Sequence, residues 1–372
     1  MNQTKLQIVL VEPFFTGSHR LWAEEYQRQS KHQITLLSLE GRYWKWRMHG
    51  GAVTLANRLN QGNLKPDLCL CTDMLDLNLF RSLTHKQFPT LKSAIYFHEN
   101  QLNYPWSPTD QDIQLKRDNH YAFINYTSAL GADAVYFNSH YHQNAFLNEL
   151  PKFLKSFPDY PELWSVDTVK AKSRVLPLGM ELSKFDQYQV IDKQDHRPLL
   201  VWNHRWEYDK NPEAFFQALF QLSDEGLEFD LAVLGESYRK SPKIFEEAKL
   251  KLAPHIIQWG YVSSFEAYAS WLWRADILPV SAIHDFFGAS VVQAIYCNCY
   301  PILPKRLAYP EHLPQHKECF YEDENEFISK LRAAITNLPV NYKRLRESVR
   351  RYDWSEMVGK YDQEMEQLMI AT

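Results

Sequence analysis

The sequence predicts an α/β protein built as two successive Rossmann-like domains. Three observations predict it. Short apolar runs alternate with longer helical patterns, the alternation stops at a polar stretch ending in Pro, and it then restarts. A length of 372 residues also suits two cores better than one.

The first domain is expected over residues 1–183. LQIVLVEP (6–13) is apolar on both faces, as a strand covered by helices on each side requires. FTGSH then makes a turn into a helix through LWAEEYQRQS. Further strands are read at QITLLSLE (33–40), DLCLCTD (67–73), SAIYFHEN (93–100), ADAVYFNS (132–139) and SRVLPLGME (173–181), with a polar helix pattern over roughly 111–130. KFDQYQVIDKQDHRP (184–198) reads as an interdomain linker.

The second domain is expected over 199–354. Its strands are LLVWNHRW (199–206), FDLAVLGES (229–237), IIQWGYV, DILPVSA (276–282) and YPILP (300–304). Between them NPEAFFQALFQLSDEG, KIFEEAKLKLA and SFEAYASWLWRA carry apolar residues at three- and four-residue spacing. Residues 355–372 read as a terminal helix that can pack back on the first domain. Two such domains joined by a short linker imply a deep cleft, with ligands outside the carboxyl ends of the strands.

Hydrophobic residues at 45% and charged residues at 23% are ordinary for a globular protein. Aromatics at 14% are high, which suits either a ring-stacking cleft or a large core. A net charge of −4 argues against a general nucleic-acid binder. Residues 41–66 nevertheless hold Arg42, Lys45, Arg47, Arg58 and Lys65 with no acid, so a local anionic partner stays open. Five cysteines without a C-x-x-C pair favour reduced thiols in a cytoplasmic protein and argue against a zinc site. No apolar stretch reaches the roughly 18 residues of a membrane span, and the N-terminus lacks signal-peptide architecture.

Candidate site residues follow the strands. Gly17, Ser18 and His19 open a helix, whose N–H groups suit an anion unless Ser18 is simply its cap. His98, Glu99, Asn100 and Gln101 put four polar groups at one strand end, suited to sugar hydroxyls or acid–base work. The His140/His142 spacing is a weak metal signal. Arg205 and Lys210, beside Asn203 and His204, suit a diphosphate, and Gly235 follows the next strand. HDFFGASVVQ (284–293) places Asp285 before a helix start at Gly288, with Gln293 further along the helix. Tyr43, Trp44, Trp46 and Arg47 read either as an amphipathic surface loop or as an aromatic–basic patch for a nucleotide.

With Arg205 and Lys210, the D-F-F-G-x4-Q stretch resembles the E-P-F-G-x4-E motif of GT-B glycosyltransferases of the retaining family 4 type. VEPFFTGSH, GRYWKWRMHG, YFHENQLNYP, FNSHYH and HDFFGASVVQAIYCNCYPILPKRLAYPE resemble the tRNA-queuosine α-mannosyltransferases, the glycosyltransferase-like domain-containing protein 1 group. That resemblance implies a GT-B fold and transfer of mannose from GDP-mannose to queuosine in a tRNA anticodon, with retention and with neither metal nor cofactor. It implies donor contacts from Gly17, Ser18, Asn203, Arg205, Lys210, Gly235, Asp285, Phe287, Gly288, Ala289 and Gln293. Among these, Arg205 and Lys210 would neutralise the diphosphate, Asp285 would touch sugar hydroxyls and Gln293 the ribose. His98 would face the transferred sugar, while His19, Trp44, Lys45, Trp46, Arg47, Glu99, Asn100 and Gln101 would meet the acceptor. The sequence departs from the motif twice, since Asp285 is one methylene shorter than Glu and Gln293 is uncharged. The competing readings are a family 4 transferase for a glycan, lipid or small molecule, and a non-catalytic nucleotide-sugar binder. A dehydrogenase is disfavoured because no G-x-G-x-x-G follows the first strand.

Overall fold

A computed structural model describes residues 5–106, 120–189, 197–236, 241–339 and 342–370. The chain divides into two compact units, 1–180 with 354–372, and 181–353. Each is built on one six-stranded parallel sheet.

The first sheet contains β1 (Gln7–Phe15), β2 (Gln33–Glu40), β3 (Leu68–Thr72), β4 (Lys92–Phe97), β5 (Ala134–Phe137) and β6 (Ser173–Val175), in the order β2-β1-β3-β4-β5-β6. The second contains β7 (Leu199–Trp202), β8 (Asp230–Val233), β9 (Ile256–Trp259), β10 (Ile277–Pro279), β11 (Tyr300–Pro304) and β12 (Phe320–Tyr321), in the order β12-β11-β10-β7-β8-β9. Every strand expected from the sequence forms. β12 was not expected, because two residues are too few to show a pattern. β3 and β7 are buried at every position, which explains why these strands read as unbroken apolar runs.

The loop reading of Tyr43, Trp44, Trp46 and Arg47 is corrected from residue 44 onward. Residues 44–61 form an 18-residue helix that buries Met48, Ala52, Leu55, Ala56 and Leu59 at helical spacing. Adjacent Gly50 and Gly51 disguised it, since glycine disfavours helix interiors. A Cβ at Gly50 would lie 2.6 Å from the exposed Trp46 ring, which would have to swing aside.

The terminal helix Trp354–Ile370 packs within the first unit. Tyr361 Oη accepts from Trp22 Nε1 at 3.1 Å and donates to Pro177 O at 3.0 Å. Asp362 Oδ1 accepts from Tyr26 Oη at 3.2 Å and Ser30 Oγ at 2.6 Å. Of the stretch 184–198, residues 190–196 lie outside the described residues, while Leu182–Tyr188 is a 3₁₀ helix with Phe185 buried. Of the helix pattern at 111–130, residues 107–119 lie outside the described residues and His120–Gly131 is helical. No helix among the described residues is long and apolar enough to cross a membrane.

Candidate active site

Each parallel sheet brings its polar groups to the carboxyl ends of its central strands, where ordered backbone gives way to turns.

In the first unit, Glu12 from β1 is fully buried. A buried carboxylate is tolerable only when its oxygens have donors. Glu12 Oε1 accepts from Phe14 N at 2.7 Å, and Oε2 lies 3.1 Å from Nδ1 of His19, which is on the following helix Gly17–Gln29. Burial alone would push the His19 pKa down. The charge and hydrogen bond of Glu12, helped by Asp73 and Glu99, outweigh burial and lift it to about 9. His19 is therefore an imidazolium at neutral pH.

His98, just past β4, packs against His19 at a tilt of 35° with ring centroids 4.3 Å apart and meets Trp22 edge-on at 4.7 Å. Burial and the nearby His19 charge push its pKa well down, so it is neutral. Its backbone is pinned from both neighbouring strands. His98 N donates to Asp73 Oδ1 at 2.8 Å, and its carbonyl accepts from Asn138 Nδ2 at 2.9 Å. His98 Nε2 is buried with no hydrogen-bond partner among the described residues. A charged and a neutral imidazole thus stand side by side, one a proton donor and the other able to accept. Glu12, His19 and His98 each offer a ligand atom within 4.8 Å of the others. The proton on His19 opposes a cation there, because metal ligands bind deprotonated.

In the second unit the site collects at the ends of β10, β7 and β8, which are neighbours in the sheet. Lys210 Nζ lies 3.1 Å from Asp209, 3.4 Å from Asp285 and 3.0 Å from His284 O. These three partners match the three donors of an ammonium. Burial opposes the Lys210 charge, but the two carboxylates outweigh it and raise its pKa. Burial likewise pushes the Asp285 carboxyl up, and Lys210, with His204, His284 and the Tyr309 hydroxyl, brings it below its usual value. Both ions persist as a pair. Burial and Lys210 drive His204 and His284 down to about 4, so both are neutral. Tyr309 donates to Asp285 Oδ2 at 3.1 Å.

Gly288 caps the helix Ala289–Tyr296 in the left-handed region at φ 86°. A Cβ there would come 2.9 Å from the Tyr309 ring, so glycine is required for conformation and for space. The buried Phe287 carbonyl accepts from His312 Nε2 at 2.6 Å. Gln293 Oε1 accepts from Tyr268 Oη at 2.9 Å, and Asn203 Nδ2 reaches the same hydroxyl at 3.4 Å and Ser290 O at 2.8 Å. Asn203 Oδ1 and His204 Nε2 are buried and unpartnered among the described residues. Gly235, at φ 99°, lies so close to the His204 carbonyl that a Cβ would sit 2.0 Å from it.

The structure therefore brings Asn203, Lys210, Gly235, Asp285, Gly288, Ala289 and Gln293 to one end of one sheet. Arg205 and Lys210 are not the matched pair of cations that their spacing suggests. Lys210 is buried between carboxylates, while the Arg205 side chain is 48% exposed and lies 3.4 Å from Glu207.

In the first unit, Gly17 opens its helix at φ 50° and Thr16 holds the cap position, so Ser18 is not the cap. Asn100 Oδ1 accepts from Leu102 N and Asn103 N, both at 3.0 Å, which commits that oxygen to its own loop. Glu99 accepts from Gln101 Nε2 at 3.3 Å. Trp44, Lys45, Trp46 and Arg47 share the first turn of the helix Trp44–Gln61. Lys45 Nζ stands 5.5 Å over both Trp44 and Trp106, and Trp46 is exposed. His140 is exposed and His142 buried, on opposite sides of the helix His140–Lys155, so they form no metal pair. All five cysteines are free and buried.

Sequence reasoning missed Glu12, Asp73, Tyr268 and Tyr309. One signal was available, a lone acid inside the apolar run of β1. The tyrosines become visible only through the tertiary fold.

Two six-stranded parallel sheets with polar clusters at their strand ends have the architecture of the GT-B fold of glycosyltransferases. Solved structures share it. One is sucrose-phosphate synthase from Thermosynechococcus elongatus, with TM-score 0.73 and 14% identity, covering 99% of this chain and 100% of that one. Another is the catalytic domain of starch synthase IV from Arabidopsis thaliana bound to ADP and acarbose, with TM-score 0.71 and 13% identity over 99% and 100% of the two chains. The chain belongs to the tRNA-queuosine alpha-mannosyltransferase family. It is 31% identical over 377 residues to the tRNA-queuosine alpha-mannosyltransferase of Drosophila melanogaster, covering 97% of each chain. The family model for the tRNA-queuosine alpha-mannosyltransferase N-terminal region matches residues 7–180.

Proposed function

We propose that this protein transfers mannose from GDP-mannose to the queuosine nucleoside of a tRNA, with retention at the anomeric carbon. Family membership over nearly the whole chain supports the acceptor and the sugar. The observation that carries the chemistry is the Lys210–Asp285 pair at the end of β10, beside the unpartnered Asn203 Oδ1 and His204 Nε2. Asp285, held ionised by Lys210 and Tyr309, accepts hydrogen bonds from sugar hydroxyls. Arg205 and the field of Lys210 stabilise charge developing on the departing diphosphate. Gln293, oriented by Tyr268, takes the ribose hydroxyls.

In the transfer, the bond from the anomeric carbon to the diphosphate oxygen breaks. A cyclopentenediol oxygen of queuosine bonds to that carbon on the same face. The hydroxyl proton passes to the departing phosphate oxygen, so no covalent enzyme intermediate and no metal are needed. His19 meets the acceptor and His98 faces the transferred sugar.

The test is incubation of the protein with queuosine-containing tRNA and a panel of nucleotide sugars, followed by nucleoside mass spectrometry. The reading expects a queuosine mass increase of one hexose with GDP-mannose. A hexose gain with another nucleotide sugar instead would refute the donor. Sugar turnover without any change in the tRNA would refute the acceptor.

A further inference from the structure

Beyond the strand-end clusters, the first unit carries a groove of about 540 Å³ lined by Phe15, Arg20, Ser38, Glu40, Arg42 and Arg58, together with neighbouring backbone. Its three arginines come from different elements. Arg20 is in the first turn after β1, Arg42 follows β2, and Arg58 lies near the end of the helix Trp44–Gln61. A close approach of two turns brings them together. A Cβ on Gly41 would lie 2.2 Å from Thr16 Cγ2, so only glycine lets the turn after β2 sit on the turn after β1.

β2 is the outermost strand of its sheet, and an edge strand presents unpaired carbonyls. Arg58 Nη1 donates to Ser38 O at 3.0 Å, and Arg47 Nε donates to Glu40 O at 3.1 Å. Ser38 and Glu40 are two residues apart, so both carbonyls face the same side of the strand. Arg47 and Arg58 are eleven residues apart, close to three helical turns, so both come from one face of the helix. The helix thus lays two guanidinium groups along the edge of β2, each using one of its five N–H donors there. Arg20 Nε pairs with Glu24 at 2.9 Å and Arg42 Nε with Glu40 at 3.2 Å. These pairs are exposed and therefore weak, leaving the other guanidinium N–H groups for an incoming anion. Within the groove lining, three arginines face the single carboxylate of Glu40.

We infer that this groove is a binding site for the phosphate backbone of the acceptor RNA. The inference rests on the proposed RNA acceptor and adds a place where that RNA is gripped away from the reacting nucleoside. Forked guanidinium groups on separate elements suit successive backbone phosphates, which they can contact bidentately. The local excess of positive charge also explains how a protein of net charge −4 can bind a polyanion.

The experiment measures tRNA affinity against salt concentration for wild type, Arg42→Gln, Arg58→Gln and the triple variant Arg20→Gln/Arg42→Gln/Arg58→Gln. Arg42 is two-thirds exposed, so its variant should keep the wild-type fold, which a thermal melt checks. Each lost phosphate contact should reduce the slope of log affinity on log salt by about 1. The triple variant should bind tRNA at least about tenfold more weakly, with an unchanged KM for the nucleotide sugar. An unchanged salt slope in the triple variant overturns the inference. So does a rise in donor KM in the triple variant, since that assigns the groove to the nucleotide sugar. Affinity for tRNA is read without turnover, so failure of the groove and failure of the mannosyl-transfer reading are separate results.

Discussion

Replacing Glu12 with Gln isolates the charge that holds His19 protonated. Gln keeps the shape and can still accept from Phe14 N, while its amide can donate to His19 Nδ1. The substitution therefore removes a charge without leaving a hole. In the wild type the His19 pKa stands at about 9, against 6.5 for the unperturbed side chain. A folded-state pKa raised above the unfolded value contributes stability fully present below 6.5 and lost as pH rises through about 9. At 1.36 kcal/mol per pH unit, the pair stabilises the fold by roughly 3 kcal/mol at mildly acid pH, with little screening because it is buried. In the variant, burial is no longer opposed by Glu12, so the His19 pKa falls and its contribution to acid stability disappears.

Two measurements follow this through. Histidine NMR should show one ring titrating near pH 9 in wild type and at or below its usual range in Glu12→Gln. Urea unfolding of both proteins should give a stability difference of roughly 3 kcal/mol near pH 6 that shrinks toward pH 10. The difference between the proteins cancels the titrating groups that lie away from Glu12 and His19, while Asp73, which burial pushes up to about 8 and which both of them shift, contributes to it. A difference that stays constant with pH, or grows on the alkaline side, would refute the assignment of a Glu12-stabilised imidazolium.

Other substitutions test the second unit. Gly235→Ala places a methyl group on the His204 carbonyl at a φ of 99°, and should cost at least about 1–3 kcal/mol in a thermal or urea melt. Lys210→Met leaves Asp209 and Asp285 buried without their cation and should destabilise by about 3–5 kcal/mol. Adding Asp209→Asn should recover part of that stability but not activity. Tyr268→Phe removes the hydroxyl shared by Gln293 and Asn203, costing about 1 kcal/mol of stability. It should also raise the donor KM several-fold with kcat nearly unchanged, measured by GDP release.

The strands and most helices were legible because parallel strands covered on both faces must be apolar at successive positions, and helices must be apolar every three or four. The same reasoning failed at 44–61, where Gly50 and Gly51 break the propensity signal and Trp46 lies against Gly50 and Pro13 against Gly51. It failed at β12, which exists only because β11 offers an edge. In the site, the rule that ligands gather at strand ends located His98 and Asp285. It could not locate Glu12, which lies inside β1 and reaches the site through His19.

Charge was the least legible property. Arg205 and Lys210 look equivalent in sequence, yet one is half exposed and the other is held between two carboxylates and a carbonyl. Spacing along the chain records which charges are present, and only the fold decides which already have partners. The two departures from the family motif gain their meaning the same way. The shorter Asp285 is fixed by Lys210 and Tyr309, so its position is set by partners rather than by its own length. Gln293 accepts from Tyr268 through Oε1 and retains an amide donor, whereas a carboxylate there could only accept. Gln293→Glu should therefore keep the Tyr268 hydrogen bond and the fold, and change only how the donor is held. If its donor KM matches wild type, position 293 does not touch the nucleotide sugar.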